Sequence, residues 1–217
     1  MVLHLADGLD VPLRERNPLL VAAGFAPAYQ ERSIDAVEMQ PVRHAMDALL
    51  RGHEPYPAIV VDRLWNVVSA NSMSWVLIEG VAPELLEPPI NVLRLSLHPK
   101  GLAARIHNLA EVSSHLLTRL RRQMHLTGDQ AVIDLYGELV EYPDVSTEVP
   151  ASEVEGPSAV VLPVHYSVRD RDLSLFSMIA TFGTPLDITL EELMIESFFP
   201  ADDATAETLR DWSTQAT

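Results

Sequence analysis

The spacing of apolar positions changes several times along the chain. Leu3, Leu5 and Leu9 predict a short first helix, and a second opens at Asp10 and Pro12 and closes at Gly24. Pro18 falls inside that second helix, where it removes a backbone donor and crowds the preceding turn, so a kink or an early end is expected. A pair this small cannot bury its own apolar face and must pack on something else. From Pro41 to Leu50 the spacing predicts another helix. The period then drops to two. "AIVVD" and "WNVVSA" read as strands over 57–62 and 65–70, a hairpin around a turn at Asp62 and Arg63. Asn71 follows as the N-cap of "SMSWVLI", with Met73, Val76 and Leu77 on one helical face.

Residues 99–142 read as helices. Ile106, Leu109, Val112, Leu116, Leu120 and Met124 recur every three or four positions until "LTGD". Thr127 with Gln130 forms a capping box that restarts the helix over Val132, Leu135, Tyr136 and Leu139. Prolines and acids without an apolar period make 143–158 a solvated loop. Beyond it, runs over 159–169 and 172–183 flank the polar turn "RDRD" and predict a second hairpin. Thr189 and Glu192 read as another capping box, and "MIESFFPA" as a last strand over 194–200. The sum is an α+β fold: a five-stranded antiparallel sheet with the 99–142 helices packed on one face, plus short N-terminal helices.

Composition narrows the chemistry. Hydrophobic residues make up 47% of the 217, enough for a sizeable core, and the lack of cysteine excludes disulfides, thiolate zinc sites and cysteine nucleophiles. No apolar run approaches the roughly 18–20 residues of a membrane span, and no signal pattern opens the chain, so a cytoplasmic protein is expected. Thirty-one acids against 15 bases give a formal charge of −16, which repels nucleic-acid phosphates. The eight histidines form neither an i,i+4 pair nor HExxH, and the nine glycines are scattered, so no metal, cofactor or phosphate cradle is expected. The acid pairs Glu191–Glu192 and Asp202–Asp203 suit helix N-termini, and Arg119, Arg121 and Arg122 read as a solvated helix face. No nucleophile elbow or dyad suggests an enzyme. What remains is a set of apolar residues that either fill the core or surround a cavity: Trp65, Trp75, Leu93, Leu97, Phe176, Met178 and Phe198.

Two strands, intervening helices and three further antiparallel strands resemble the order of a PAS-type sensor, and "NVVSANSMSWVLIEG" is similar to the second strand and first helix of such domains. "LADGLDVPLRERNPLLVAAGFAP", "LHPKGLAARIHNLAEVSSHLLTRLRRQ", "TGDQAVIDLYGEL" and "LSLFSMIATFGTPLDITLEELMIESFFPADDATAETL" resemble the MmyB-like transcription regulators over roughly residues 2–210. In that family a helix-turn-helix domain precedes a PAS-like ligand-binding domain. The resemblance implies that residues 1–27 are the end of the helix-turn-helix domain, 28–50 a linker and helix, 51–210 the ligand-binding domain and 211–217 a tail. The groove-reading helix lies upstream of Met1, so DNA is reached only through a part this chain lacks. The chain is then either shortened or has lost its DNA reader. The implied function is a sensor, expected as a homodimer, that binds a small apolar or amphipathic molecule such as a fatty acid. The pocket would include Ile106 and Leu109 beside the apolar residues above, with His98, Arg105 or His107 as partners for a polar head. The alternative is a PAS-like dimerisation module with a filled core and no ligand.

Overall fold

A computed structural model describes residues 1–148 and 161–215. Five strands, β1 (Ala58–Val61), β2 (Val67–Ala70), β3 (Val164–Val168), β4 (Arg171–Thr181) and β5 (Met194–Pro200), form one antiparallel sheet in the order β2-β1-β5-β4-β3. Helices α1 (Val2–Gly8), α2 (Leu13–Ala22) and α3 (Gln40–His53) precede the sheet. Between its second and third strands lie α4 (Ser72–Leu77), α5 (Val92–Leu97), α6 (Leu109–Thr127) and α7 (Gln130–Val140). The short α8 (Ile188–Glu192) leads into β5, and α9 (Asp203–Gln215) follows it. The five antiparallel strands expected from the two hairpins and the last apolar run are all present. Among the described residues no helix is long and apolar enough to cross a membrane.

Period-two alternation on β1 sorts the core into two layers. Ile59 and Val61 pack against Leu93 and Leu97 of α5, Leu117 and Leu120 of α6, and Leu135 and Leu139 of α7. Ala58 and Val60 face the other way, onto Met46 and Leu50 of α3 with Leu193 and Ile195. The 99–142 helices therefore cover one face as expected, while α3 covers the back of β1 and β5. A third cluster, at the β3 end, joins Met73, Val76 and Leu77 of α4 to Tyr166, Leu173, Leu175, and Leu209 and Trp212 of α9.

Local chemistry moves several boundaries. Trp65 is not in β2: its φ of +66° places it in the turn, where Trp65 N–H donates to Asp62 O and the Asp62 carboxylate accepts from the N–H groups of Leu64 and Asn66. Pro163 cannot donate to a ladder, so β3 starts at Val164; the first expected residues, 159 and 160, lie outside the described ones, as does most of the 143–158 loop. Neither expected capping box forms. Gly128, at φ +61°, ends α6 in the left-handed region, and Asp129 caps α7 by accepting from Ala131 N–H. Likewise Asp187 caps α8, accepting from Thr189 N–H, while the Thr189 hydroxyl donates to Arg32 O. Helix α2 continues through Pro18 to Ala22. Helix α9 passes the expected boundary at residue 210 and buries Trp212, the next residue but one.

The N-terminal pair is attached to α8. Leu13 N–H donates to Glu191 Oε2 at 2.7 Å, Arg14 pairs with Glu192 at 2.6 Å, and Arg14 also holds Glu31. Three side chains expected on these helices or at their ends, Leu3, Leu5 and Leu9, stay exposed.

Candidate ligand-binding cavity

A cavity of about 370 Å3 lies between the sheet and helices α4–α6. Its floor is the face of the sheet that points toward these helices: Ile59 from β1, Leu175 and Ser177 from β4, Glu196 and Phe198 from β5. Trp65, Val67 and Ala70 close the β2 side, and Leu77, Leu93, Leu95, Val112 and Leu116 form the roof. Trp75, 46% exposed, and the exposed His115 mark where the cavity meets solvent. The surroundings are apolar almost throughout, the usual make-up of a small-molecule site with a few polar groups for orientation.

Glu196 is the ionisable group on the floor, beside the polar Ser177. Its register partners are Ile59 on β1 and Ile179 on β4, so apolar side chains flank it on both neighbouring strands. Burial pushes its carboxyl pKa up, against the nearby Ser177 hydroxyl and the charge of Arg119, which both pull it down. Arg119 does not lie on a solvated face, as its spacing suggests. It stacks over Trp65, 4.6 Å from the ring centroid, and loss of water lowers its pKa below the usual arginine value. The Trp65 Nε1–H donates to Gln123 Oε1 at 3.0 Å, and Gln123 in turn donates to Arg63 O at 2.6 Å, which fixes the ring against the cavity.

The second polar feature lies at the other end. Tyr166 lines the cavity, is buried, and among the described residues its hydroxyl has no hydrogen-bond partner; burial raises its pKa. Tyr166 pairs with Leu173 and Glu196 with Ile179, so six residues of β4 separate the two levels, roughly 20 Å along the strand. The cavity therefore runs from a carboxyl near β1 toward the Tyr166 hydroxyl near α9.

Of the residues expected around a pocket, Trp65, Trp75, Leu93, Ile106 and Phe198 do line the cavity. Leu97 is fully buried in the α5–α7 cluster beside it, and Leu109 packs at the seam of two clusters. Phe176 and Met178 are on the opposite face. Strand alternation turns Leu175 and Ser177 inward, so Phe176 stacks on Phe199 at 5.5 Å and Met178 stays 61% exposed. The three head-group candidates also point elsewhere. His98 meets the Tyr142 ring at 5.0 Å, Arg105 donates to Glu79 O at 2.6 Å, and His107 lies 2.8 Å from the Ser167 hydroxyl. Spacing does not single out Glu196, Ser177 or Tyr166. One signal for Glu196 is present in "MIESFFPA", where Met194, Glu196 and Phe198 alternate on one face: a lone acid between two large apolar residues.

None of the curated proteins matches the chain. Among solved structures it is similar to the PAS domain of Bordetella pertussis BvgS, with 14% identity, a TM-score of 0.35, and coverage of 82% of this chain and 98% of that one. Residues 42–211, which hold the whole sheet and every residue lining the cavity, match the MmyB-like transcription regulator ligand binding domain. The chain belongs to that family.

Proposed function

We propose that the cavity binds a small apolar or amphipathic molecule of fatty-acid type, and that its occupancy controls a DNA-binding domain attached at the N-terminal side, without catalysis. The observation that carries this is the apolar cavity itself, about 370 Å3 enclosed between sheet and helices in a family named for ligand binding. Space of this size left empty forfeits packing, at about 24 cal/mol per Å3 in core cavities, so an apolar guest stabilises the fold. A filled-core dimerisation module gives no reason for such a space.

Support for a route outward comes from α8. Its last residues precede β5, whose Glu196 and Phe198 form the floor, and its Glu191 and Glu192 hold Leu13 and Arg14 of α2. Asp187 at its start pairs with Arg32 at 2.7 Å and forms a bridge with Gln30. A guest that shifts β5 thus acts on both the N-terminal helices and the 28–36 segment.

Thermal unfolding of the full chain with and without dodecanoic acid tests the binding step. A ligand at a hundred times its Kd adds about 2.7 kcal/mol to stability, so the midpoint should rise by several degrees. A midpoint unmoved by dodecanoic acid and by a cell lipid extract contradicts the reading.

A further inference from the structure

The ligand class so far rests on the apolar lining, yet the floor carries one acid that the lining does not explain. Glu196 sits on β5, the middle strand of the sheet, with Ile59 on one side and Ile179 on the other. Trp65, Met194 and Phe198 belong to the same apolar surroundings. A central strand facing helices is where Val, Ile or Leu packs best, and Glu196 stands there half-buried, where partial loss of water disfavours an ionised carboxylate. Two groups reach it. Ser177 on β4, exposed and lining the cavity, stands beside the carboxyl and pulls its pKa down. Arg119 on α6 acts through its charge only: its guanidinium is stacked on Trp65, and among the described residues it forms no ion pair with Glu196. The acid is therefore neither neutralised by a bonded cation nor excluded from the site. It is the strongest polar group that a guest meets on the floor.

We propose that Glu196, assisted by Ser177, is the anchoring subsite of the cavity and donates a hydrogen bond to an uncharged or anionic oxygen at one end of an elongated apolar guest. The inference rests on the cavity being a ligand site, as proposed above, and adds which end of the guest is read and by what. The direction of the hydrogen bond follows from the surroundings. Burial raises the Glu196 pKa and so favours the form that offers an O–H, and the serine hydroxyl can accept from or donate to the same guest atom. The fixed charge of Arg119 selects the same way. It attracts a partial or full negative charge at the floor and repels an ammonium, which an ionised Glu196 would otherwise favour. The apolar remainder of the guest extends toward Leu175, Ile106 and the Tyr166 end. A hydroxyl, a carbonyl or a carboxyl oxygen satisfies this subsite; a primary amine does not.

Matched probes separate this from other arrangements. Dodecanol, dodecanoic acid and dodecylamine share one chain length and differ only at the head, and their binding to the full chain is measured by calorimetry. The alcohol and the acid should bind wild type at least about tenfold more tightly than the amine, the worth of one well-made hydrogen bond. Glu196→Gln keeps a donor at the same place and should retain dodecanol binding, whereas Glu196→Ala should lose about tenfold. Because dodecanol does not titrate, any pH dependence of its binding belongs to the protein. Its affinity should fall with rising pH in wild type, as Glu196 gives up its proton, and stay flat in Glu196→Gln. The groups facing Glu196 are Arg119 from α6 and Ser177 from β4, with Ile59 on β1 and Trp65 contributing no titration. His115 and Tyr166 are the cavity's other titratable lining groups, so His115→Gln must leave the pH dependence in place. Should Glu196→Ala fail to fold, the glutamine variant and the pH series decide. Tighter binding of the amine, or equal binding of all three probes with no loss in either variant, overturns the anchor while the cavity remains a ligand site. If no probe binds wild type or variants, the ligand-site reading fails and the anchor with it.

Discussion

At the scale of single residues, the cavity is maintained at a cost that mutation can reveal. Glu196 has a folded pKa above its unfolded value, so the native state holds its proton to higher pH than the unfolded chain does. Unfolding then releases a proton as pH rises from the ordinary glutamate range to the raised value, and the native state loses stability across that window. Glu196→Gln removes this dependence. Denaturant midpoints should show the variant gaining on wild type as pH rises above the ordinary glutamate range, and equal pH slopes for the two proteins would contradict the assignment. Tyr166 offers a second reading of the same kind. An unpaired buried hydroxyl costs about 1–3 kcal/mol, so Tyr166→Phe should be neutral or stabilising in the ligand-free protein, unlike most substitutions at a core position. A clear loss of stability would show that the hydroxyl already has a partner.

At the scale of elements, the junction of α6 and α7 depends on two residues, Gly128 and Asp129. Asp129→Ala removes the α7 cap and the ion pair with Arg63, and should lower stability by about 1 kcal/mol. Gly128→Ala has open space for its methyl group but places an L side chain at φ +61°, and should cost a similar 1 kcal/mol or so. Chemical unfolding checks both. These two residues also show where the sequence pattern was legible and where it was not. Apolar spacing predicts the helices of 99–142 because their buried residues repeat at helical period over several turns. Caps are decided by which N–H is left free, and that depends on where Gly128 turns the chain; Thr127 and Gln130 fit the capping pattern but Asp129 stands at the free N–H. Asn71, standing directly before its helix, is both legible and observed as a cap. The same limit applies across β4. Alternation shows that Phe176 and Met178 share a face with each other and not with Ser177, but which face looks at the helices is decided by the pairing with β5.

At the scale of the whole molecule, the sheet is closed at its β3 end by α9, an element with a weak signature. Thr205, Ala206, Leu209 and Trp212 mark its buried side, between acids and exposed polar residues, and Leu209 and Trp212 complete the cluster around Tyr166. Trp212→Ala should therefore destabilise by about 3–5 kcal/mol, and ending the chain at residue 210 should do at least as much. A Trp212→Ala protein with an unchanged midpoint would remove α9 from the core. Five strands and the long helices follow from periodicity because each repeats its signal; the carboxyl on the floor does not, because one residue in a strand of seven has no period. The account as a whole claims that the space between the sheet and α6 belongs to a guest. Native mass spectrometry of protein purified from cells, wild type beside Leu116→Trp and Met178→Trp, tests this most directly. Leu116 lines the cavity and Met178 is on the far face of the sheet. A small molecule retained by wild type and Met178→Trp and absent from a folded Leu116→Trp is the predicted result. No retained mass in any of the three, with Leu116→Trp destabilised as an overpacked core residue is, would contradict it.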